Sequence, residues 1–326
     1  EFRRIIKLCS KADLVVLYDL NPIKIKIALQ LNPNVKIIWR FFGYELYKLR
    51  PDLYKSNLSR KYDTTSTKQS IKFLLTSFYS YIKEILKENK FDRVMKRIDY
   101  FLAISEEEYI HLKQYYPNIP KFIKVPRLPY IANYNVDFNL KNHPLIIIGN
   151  NRSSYNNHLD ILEIIEKYEN KTNYNFTLFF NYGKQNKYTD EVIRRTNEKN
   201  YFSIIDKFLN SNDFLDVYKR ASGLVINGYR QMAGANIRTA LEHGVKIYLN
   251  NKNVHKQFLE KEGFKIFSIE DFEEDLKHNN LQFDKEVALY NLEILKRYTE
   301  SYSYSDFQSD LLEQINTSEI RTKIDP

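Results

Sequence analysis

The stretch best equipped for chemistry runs Leu145-Ile-Ile-Ile-Gly149-Asn150-Asn151-Arg152-Ser153-Ser154-Tyr155-Asn156-Asn157-His158. An apolar strand runs into a glycine, then a polar loop, then the start of a helix. Such a junction aims backbone N–H groups and a positive helix end at an anion, commonly a diphosphate. Gly149 would let the backbone approach closely, and the Asn and Ser side chains would add neutral donors. The alternative is an ordinary strand-to-helix turn whose Ser154 or Asn156 caps the helix. A second junction of this kind is Asn227-Gly-Tyr-Arg230-Gln231-Met-Ala-Gly234-Ala-Asn236. Arg230 is placed there to meet phosphate oxygens, or to form a surface ion pair as loop arginines also do. The chain has only eight glycines. Gly149, Gly183 and Gly228 follow predicted strands along the carboxyl edge of one sheet, where open α/β folds bind ligands, and Gly244 precedes the next strand.

Other chemistries lack their signatures. There is no Walker loop, no GxGxxG, no HExxH and no GxSxG elbow. His111, His143, His158, His243, His255 and His278 have no ligand spacing and no DxD pair occurs, so no metal is expected.

The elements that must position these residues follow from hydropathy. Strands are expected at Leu14–Tyr18, Val35–Phe41, Tyr100–Ile104, Phe122–Val125, Leu145–Ile148, Phe176–Phe180, Phe202–Ile205, Leu224–Ile226, Val245–Leu249 and Lys265–Phe267. Helical patterns occupy Pro22–Leu31, about Thr67–Asn89, Glu106–Tyr115, about Asn157–Tyr168, Thr189–Glu198, Ser211–Ala221, Asn236–His243 and Val254–Glu262. This alternation is α/β, with parallel sheets wound from right-handed βαβ units. Two blocks meet near Tyr130–His143, giving a first domain over 1–140, a second over 141–300, and a C-terminal helix and tail over 301–326. Glu1 to Cys9 reads as the end of an amphipathic helix. Nucleotide-binding folds open on a strand, so an earlier strand and loop are expected to precede it, unless Glu1-Phe2 is a remnant of cloning.

The 326 residues are 43% hydrophobic and 28% charged, enough for sizeable cores in an ordered, soluble protein. The single cysteine, Cys9, excludes internal disulfides and thiolate-clustered metal sites and fits a reducing cytoplasm. The longest uncharged apolar stretch, Phe73 to Ile82, is too short to span a bilayer. No signal-peptide core opens the chain. The net charge of +9 is lopsided: residues 1–140 hold 25 basic and 14 acidic side chains, and 48–97 alone hold 13 and 5. Such a patch suits a phosphate-bearing partner, or is simply a solvated face. Within it, Ile71, Leu74, Leu75, Phe78, Ile82, Ile85 and Leu86 form one helical stripe, with Lys68, Lys72, Lys83 and Lys87 elsewhere on the helix. That pattern fits packing on the domain's own core or contact with an anionic membrane surface.

Several short motifs, in order over most of the chain, carry a family resemblance. Phe42-Gly43-Tyr44-Glu45-Leu46-Tyr47, Tyr115-Tyr116-Pro117-x-x-Pro120 with Val125-Pro126, Ile148-Gly149-Asn150 through Asn157-His158, Tyr182-Gly183 with Tyr188, Arg230-Gln231 with Asn236, and His243-Gly244-Val245 are the matching segments. Together they resemble the bacterial family that transfers 4-acetamido-4,6-dideoxygalactose from a TDP donor to a lipid-linked acceptor in enterobacterial common antigen synthesis. The chain departs from that family at Tyr18-Asp19, where His-Gly is usual, at Glu45, where Asp is usual, and around Ala233-Gly234-Ala235.

The resemblance implies a GT-B glycosyltransferase: two facing Rossmann-like domains, the second holding the donor and the first meeting the acceptor. The expected reaction moves a sugar from a TDP- or UDP-linked donor to a polyprenyl-diphosphate-linked saccharide at the cytoplasmic face of the plasma membrane. Protein cations rather than a metal would serve the diphosphate. Glu45 is the expected base, and Arg230 with the amides near Gly149 would stabilise the departing diphosphate. Asn150, Ser153, Ser154, Asn157, His158, Tyr182, Gln231 and Asn236 would shape the donor pocket. A nucleotide-sugar epimerase would use the same architecture without a membrane-facing basic surface. A nucleic-acid binder would explain the basic half, but no RNA or DNA motif occurs.

Overall fold

The structure, a computed structural model, describes residues 1–47, 50–63, 91–124, 136–141, 144–197, 199–300 and 304–324. The basic stripe with Lys68, Lys72, Lys83 and Lys87, and the Val125-Pro126 pair, lie outside the described residues. The chain folds as two compact units. The described residues of the first are 1–47, 91–124 and 304–324; those of the second are 50–63, 136–141, 144–197 and 199–300.

The first unit runs α1 (Phe2–Cys9), β1 (Leu14–Tyr18), α2 (Pro22–Gln30), β2 (Lys36–Arg40), α3 (Tyr44–Tyr47), α5 (91–97 among the described residues), β3 (Tyr100–Ala103), α6 (Glu106–Lys113), β4 (Lys121–Lys124) and α14 (Tyr304–Ile324). Its strands lie in the order β1-β2-β3-β4, each parallel to the next. Burial on both faces explains why the central strands β2 and β3 read as apolar runs. Trp39 stands edge-on to Phe41 and Phe101 at 5.5 and 5.1 Å on one side. On the other, Ile315 of α14 packs with Ile38, Tyr100, Leu102 and Ile123. The edge strand is also covered. Gln314 accepts from the Lys124 N–H at 2.8 Å and donates to its carbonyl at 3.1 Å, standing in for the next strand.

The second unit takes in α4 (Asn57–Asp63), then β5 (Leu145–Ile148), α7 (His158–Lys167), β6 (Asn175–Phe179), α8 (Lys187–Thr196), β7 (Phe202–Ile205), α9 (Ser211–Arg220), β8 (Ala221–Ile226), α10 (Gly234–Glu242), β9 (Lys246–Leu249), α11 (Val254–Lys261), β10 (Phe267–Ser268), α12 (Ile269–Lys277) and α13 (Lys285–Glu300). The all-parallel order is β10-β9-β8-β5-β6-β7. From β5 the chain winds outward to β7, then returns past β5 and winds the opposite way to β10. The reversal between β5 and β8 is a topological switch point, and the crevice beyond their carboxyl ends is where such folds take ligands.

Three features depart from the sequence reading. Residues 50–63, placed with the first domain by sequence, pack in the second unit. Ser56 donates through its N–H to Asn157 Oδ1 at 2.9 Å and through Oγ to Asp160 at 2.7 Å. Asp63 pairs with Lys55 and accepts from Ser154 Oγ at 2.7 Å and Asn186 Nδ2 at 3.3 Å. In turn α14 closes the first unit rather than forming a separate tail. Strand β8 also starts at Ala221, three residues before the apolar run. Ala221-Ser-Gly223 has little strand propensity, but Gly223 lies beside Ile146 in the sheet centre, where a Cβ would be only 3.0 Å from Ile146 Cδ1.

Candidate active site

The switch point is flanked by two strand-to-helix junctions, one after β5 and one after β8. The first is closed upon itself. Gly149 N–H donates to Val225 O, Asn150 N–H to Asn156 Oδ1, Arg152 N–H to Tyr182 O and Ser153 N–H to Asn151 Oδ1, all between 2.8 and 3.2 Å. Asn151 and Asn156, both buried, staple the loop, with Asn156 Nδ2 3.0 Å from the Asn151 carbonyl. The helix end is occupied too. No side chain of the loop caps α7; instead the Tyr188 hydroxyl accepts from the His158 N–H at 2.7 Å. An oxygen of the protein itself thus sits where the sequence reading placed an anion. Neither Ser154 nor Asn156 is the cap.

Gly149 has a different task from the one its sequence suggests. Its φ of +68° favours glycine, and a Cβ there would lie 2.4 Å from His158 Nε2. The space left by its missing side chain is filled by that imidazole, not reserved for a ligand. Gly228 does the same for Met232, whose sulfur would be 2.1 Å from a Cβ. His158 is fully buried, and burial pushes its pKa down to about 3, so the ring is neutral. Its Nδ1 is 3.1 Å from the Tyr188 hydroxyl. The sequence expectation that His158 lines a donor pocket gives way to a core role.

Asn157 also turns inward. Fully buried and left-handed at φ 50°, it donates to the Asn227 carbonyl at 2.9 Å, while Asn227 Nδ2 donates back to the Asn157 carbonyl at 3.2 Å. This reciprocal pair ties β5's loop to the end of β8. Ser154 is committed to Asp63, and Asn236 Nδ2 to the Tyr218 hydroxyl at 2.8 Å. Of the expected pocket residues, these four build the site from behind.

Asn150, Ser153, Tyr182, Arg230 and Gln231 remain at the surface of the edge. Asn150 and Asn151 both donate to the Tyr182 hydroxyl, at 3.2 and 3.1 Å. The Tyr182 ring lies 6.0 Å from Phe208, which is 77% exposed after β7. Arg230 donates to the Gln231 carbonyl at 3.2 Å, and its guanidinium lies 5.1 Å from the Tyr155 ring. Tyr155 in turn meets Tyr54 at 6.3 Å. Tyr155 lies within the first junction but is not singled out there, and Phe208 has only its place three residues past a predicted strand to mark it.

The second junction is open by contrast. α10 begins at Gly234 behind Ala233, a left-handed residue at φ 58°, and no side chain caps it. Gly234 and Ala235 are exposed. The first-turn N–H groups therefore have no side-chain cap, among Gly234 and Ala235 of almost no bulk, and Gln231 Nε2 lies 3.8 Å from where a Gly234 Cβ would be.

In the first unit, Glu45 follows β2 on α3 and is only 7% exposed. Its Oε1 accepts from Trp39 Nε1 at 3.4 Å, and Oε2 is buried without a partner. Burial, with a smaller contribution from the charge of nearby Asp19, raises its pKa. Asp19 is the more open carboxylate, with a left-handed backbone at φ 63°. Among the described residues, no group of three His, Cys, Asp or Glu is placed to hold a metal ion, and no helix is long and apolar enough to cross a membrane.

No family model matches the sequence, and no curated protein matches it. Solved structures do. TarM is similar with a TM-score of 0.62 at 11% identity, over 97% of this chain and 57% of that one. The α,α-trehalose 6-phosphate synthase of Burkholderia multivorans gives 0.63 at 8% identity, over 99% and 74%. The GtfA/B complex gives 0.58 at 11%, over 97% and 59%. This chain thus spans under three-fifths of the TarM and GtfA/B chains. At such identities the likeness is one of fold, and the fold is GT-B: two Rossmann-like α/β units, each on a parallel sheet.

Proposed function

We propose that this chain is a glycosyltransferase whose second unit holds a nucleoside-diphosphate sugar at the switch point, with the diphosphate on the open start of α10. That uncapped helix end, lined by Gly234 and Ala235 beside Arg230, is the observation that carries the reading. The α7 end cannot serve while the Tyr188 hydroxyl occupies it. Asn150, Ser153, Tyr182 and Gln231 would complete the donor pocket, and exposed Phe208 beside Tyr182 offers a flat face for the base.

In the reaction, the acceptor oxygen forms a bond to the anomeric carbon and loses its proton. The bond from that carbon to the diphosphate breaks, and negative charge grows on the leaving oxygen. Arg230 and the α10 amides would stabilise that charge without reorganising. Glu45, its proton affinity raised by burial, is the proposed base, and Asp19 is the carboxylate through which it would meet solvent and acceptor. A mutant of S. aureus TarM, similar in fold with a TM-score of 0.62, forms a complex with UDP, which supports a UDP- or TDP-linked donor. The motif resemblance supports the finer reading: an acetamido-dideoxyhexose passed, without a metal, to a polyprenyl-diphosphate-linked saccharide in bacterial surface polysaccharide synthesis. The enzyme would sit peripherally on the anionic inner membrane face, through Lys68, Lys72, Lys83 and Lys87.

The test is a thermal-shift titration of TDP, UDP and their sugars in the presence of EDTA. Ligand at 100-fold its Kd stabilises the fold by about 2.7 kcal/mol. A midpoint unmoved by every nucleoside diphosphate sinks the reading.

A further inference from the structure

At the carboxyl edge of the first sheet, two aromatic side chains are left largely in water. Tyr18, the last residue of β1, is 63% exposed, and Phe42, two residues past β2, is 50% exposed. Scattered apolar side chains on a surface need no explanation. These two form a unit: their ring centroids are 6.2 Å apart and the planes are inclined by 34°, a shallow V.

The polar groups around the V are fixed in place. Arg40, the register partner of Tyr18, holds its guanidinium 5.0 Å from the Phe42 ring, where Nη1 donates to the carbonyls of Phe41 at 2.9 Å and Leu102 at 3.3 Å. On the other side, Asp19 keeps a left-handed backbone that costs a non-glycine residue on the order of 1 kcal/mol or more. Its N–H donates to the Arg40 carbonyl at 3.1 Å, and its Oδ1 accepts from Asn21 N–H at 3.1 Å and pairs with Lys24 at 3.0 Å. A strained residue held this firmly beside exposed rings marks a place shaped for a ligand rather than for packing.

We propose that this edge is a pyranose-binding platform, with Tyr18 and Phe42 taking the apolar C–H face of a sugar and Asp19 and Arg40 taking its rim hydroxyls. A pyranose has that division of surface: axial hydrogens make a flat apolar face, and hydroxyls project around it. A carboxylate accepts from two neighbouring hydroxyls, and a guanidinium donates to a ring or hydroxyl oxygen. A lipid chain would require a longer apolar track without charges at both sides. The inference rests on the reading that the first unit receives the acceptor and deepens it: recognition there is of a sugar ring, whatever carries that ring.

The test uses methyl N-acetyl-β-glucosaminide and methyl β-glucoside, which lack any lipid or phosphate, observed by saturation-transfer NMR with the full chain. The parent should bind one of them in the millimolar range. Tyr18→Ala, Phe42→Ala and Asp19→Asn should each weaken binding about 5-fold or more, while Tyr18→Phe, which keeps the ring, should retain it. If an alanine variant loses its fold by circular dichroism, Tyr18→Leu and Phe42→Leu replace it. Failure of the parent to bind either glycoside, or equal binding by the ring-less variants, overturns the platform. UDP and TDP binding is measured on the same samples. Glycoside binding that depends on the rings, without nucleotide binding, keeps the platform and sinks the glycosyltransferase reading. Nucleotide binding without glycoside binding does the reverse.

Discussion

The junctions after β5 and β8 flank one switch point, yet they use opposite chemistry. After β5, asparagine side chains consume the loop amides and a tyrosine hydroxyl occupies the helix end. After β8, a left-handed alanine starts a helix that nothing caps, among residues too small to cover it. The difference teaches that a sheet-edge loop rich in Asn, Ser and Gly need not be a ligand loop. Polar side chains satisfy the backbone as readily as they satisfy a phosphate, and where they do, the binding role passes to the junction with fewer of them. One junction is closed by its own side chains, and the other is the proposed seat of the diphosphate.

The closed junction should break most dramatically at Gly149. Gly149→Ala forces an L-residue into the left-handed region, about 1–2 kcal/mol, and drives a methyl into His158, about 1–3 kcal/mol more. Chemical denaturation should therefore register a loss of about 2–5 kcal/mol. A variant as stable as the parent would mean the imidazole moves aside freely. On the open side, Arg230→Ala should weaken TDP or UDP by about 10- to 100-fold, the loss of one or two charge-assisted bonds. Equal affinity by calorimetry would remove Arg230 from the site.

Acid should weaken the molecule through its buried imidazoles. Burial holds His158 at about 3 and His255 at about 4, whereas both titrate near 6.5 in the unfolded chain. Between these values the unfolded chain binds protons that the fold refuses, so stability falls as pH drops below about 6.5. The slope is about 1.4 kcal/mol per pH unit for each histidine. Denaturation of parent and His158→Gln at pH 4.5, 5.5 and 6.5 should show a shallower slope in the variant. Parallel slopes would mean that His158 accepts its proton in the fold. The smallest change is expected from Gly234→Asp. Gly234 has an ordinary φ, and a Cβ there would make only an ordinary contact, 3.8 Å from Gln231 Nε2, so the carboxylate should stabilise α10 by about 0.3–1 kcal/mol. It should also compete with diphosphate and lower its affinity. Tighter nucleotide binding would contradict the assignment of that end to the diphosphate.

The sheets were legible because strands buried on both faces write themselves as apolar runs, and turn residues mark their ends. The carboxyl-edge position of Gly149, Gly183 and Gly228 followed directly. What each residue does there did not follow. That Gly149 makes room for His158, or that Asn157 is exchanged against Asn227, depends on atoms brought together across the sheet, which spacing does not encode. Membership of residues 50–63 in the second unit was hidden for the same reason: the Ser56–Asn157 bond spans 101 positions. The junction holding Ala233-Gly234-Ala235 was legible as strand, loop and helix start, but its uncapped helix end was not, because that contribution is an absence of side chains and residue-type reasoning looks for groups that are present. Glu45 was singled out by its motif, but its burial was not foreseen.

The hydrogen bonds of Gln314 to β4 have a consequence in time. They join residues 190 positions apart, so during synthesis at 5–20 residues per second the partner of that strand arrives about 10–40 s after the strand itself. Until then the first sheet, already able to collapse around Trp39 and Phe101, presents a bare row of donors and acceptors to every neighbouring nascent chain. The growing polypeptide is therefore most vulnerable to strand-to-strand association midway through translation, while the second unit is being made. A ribosome stalled before α14 would release a chain holding both sheets, the first with an adhesive side.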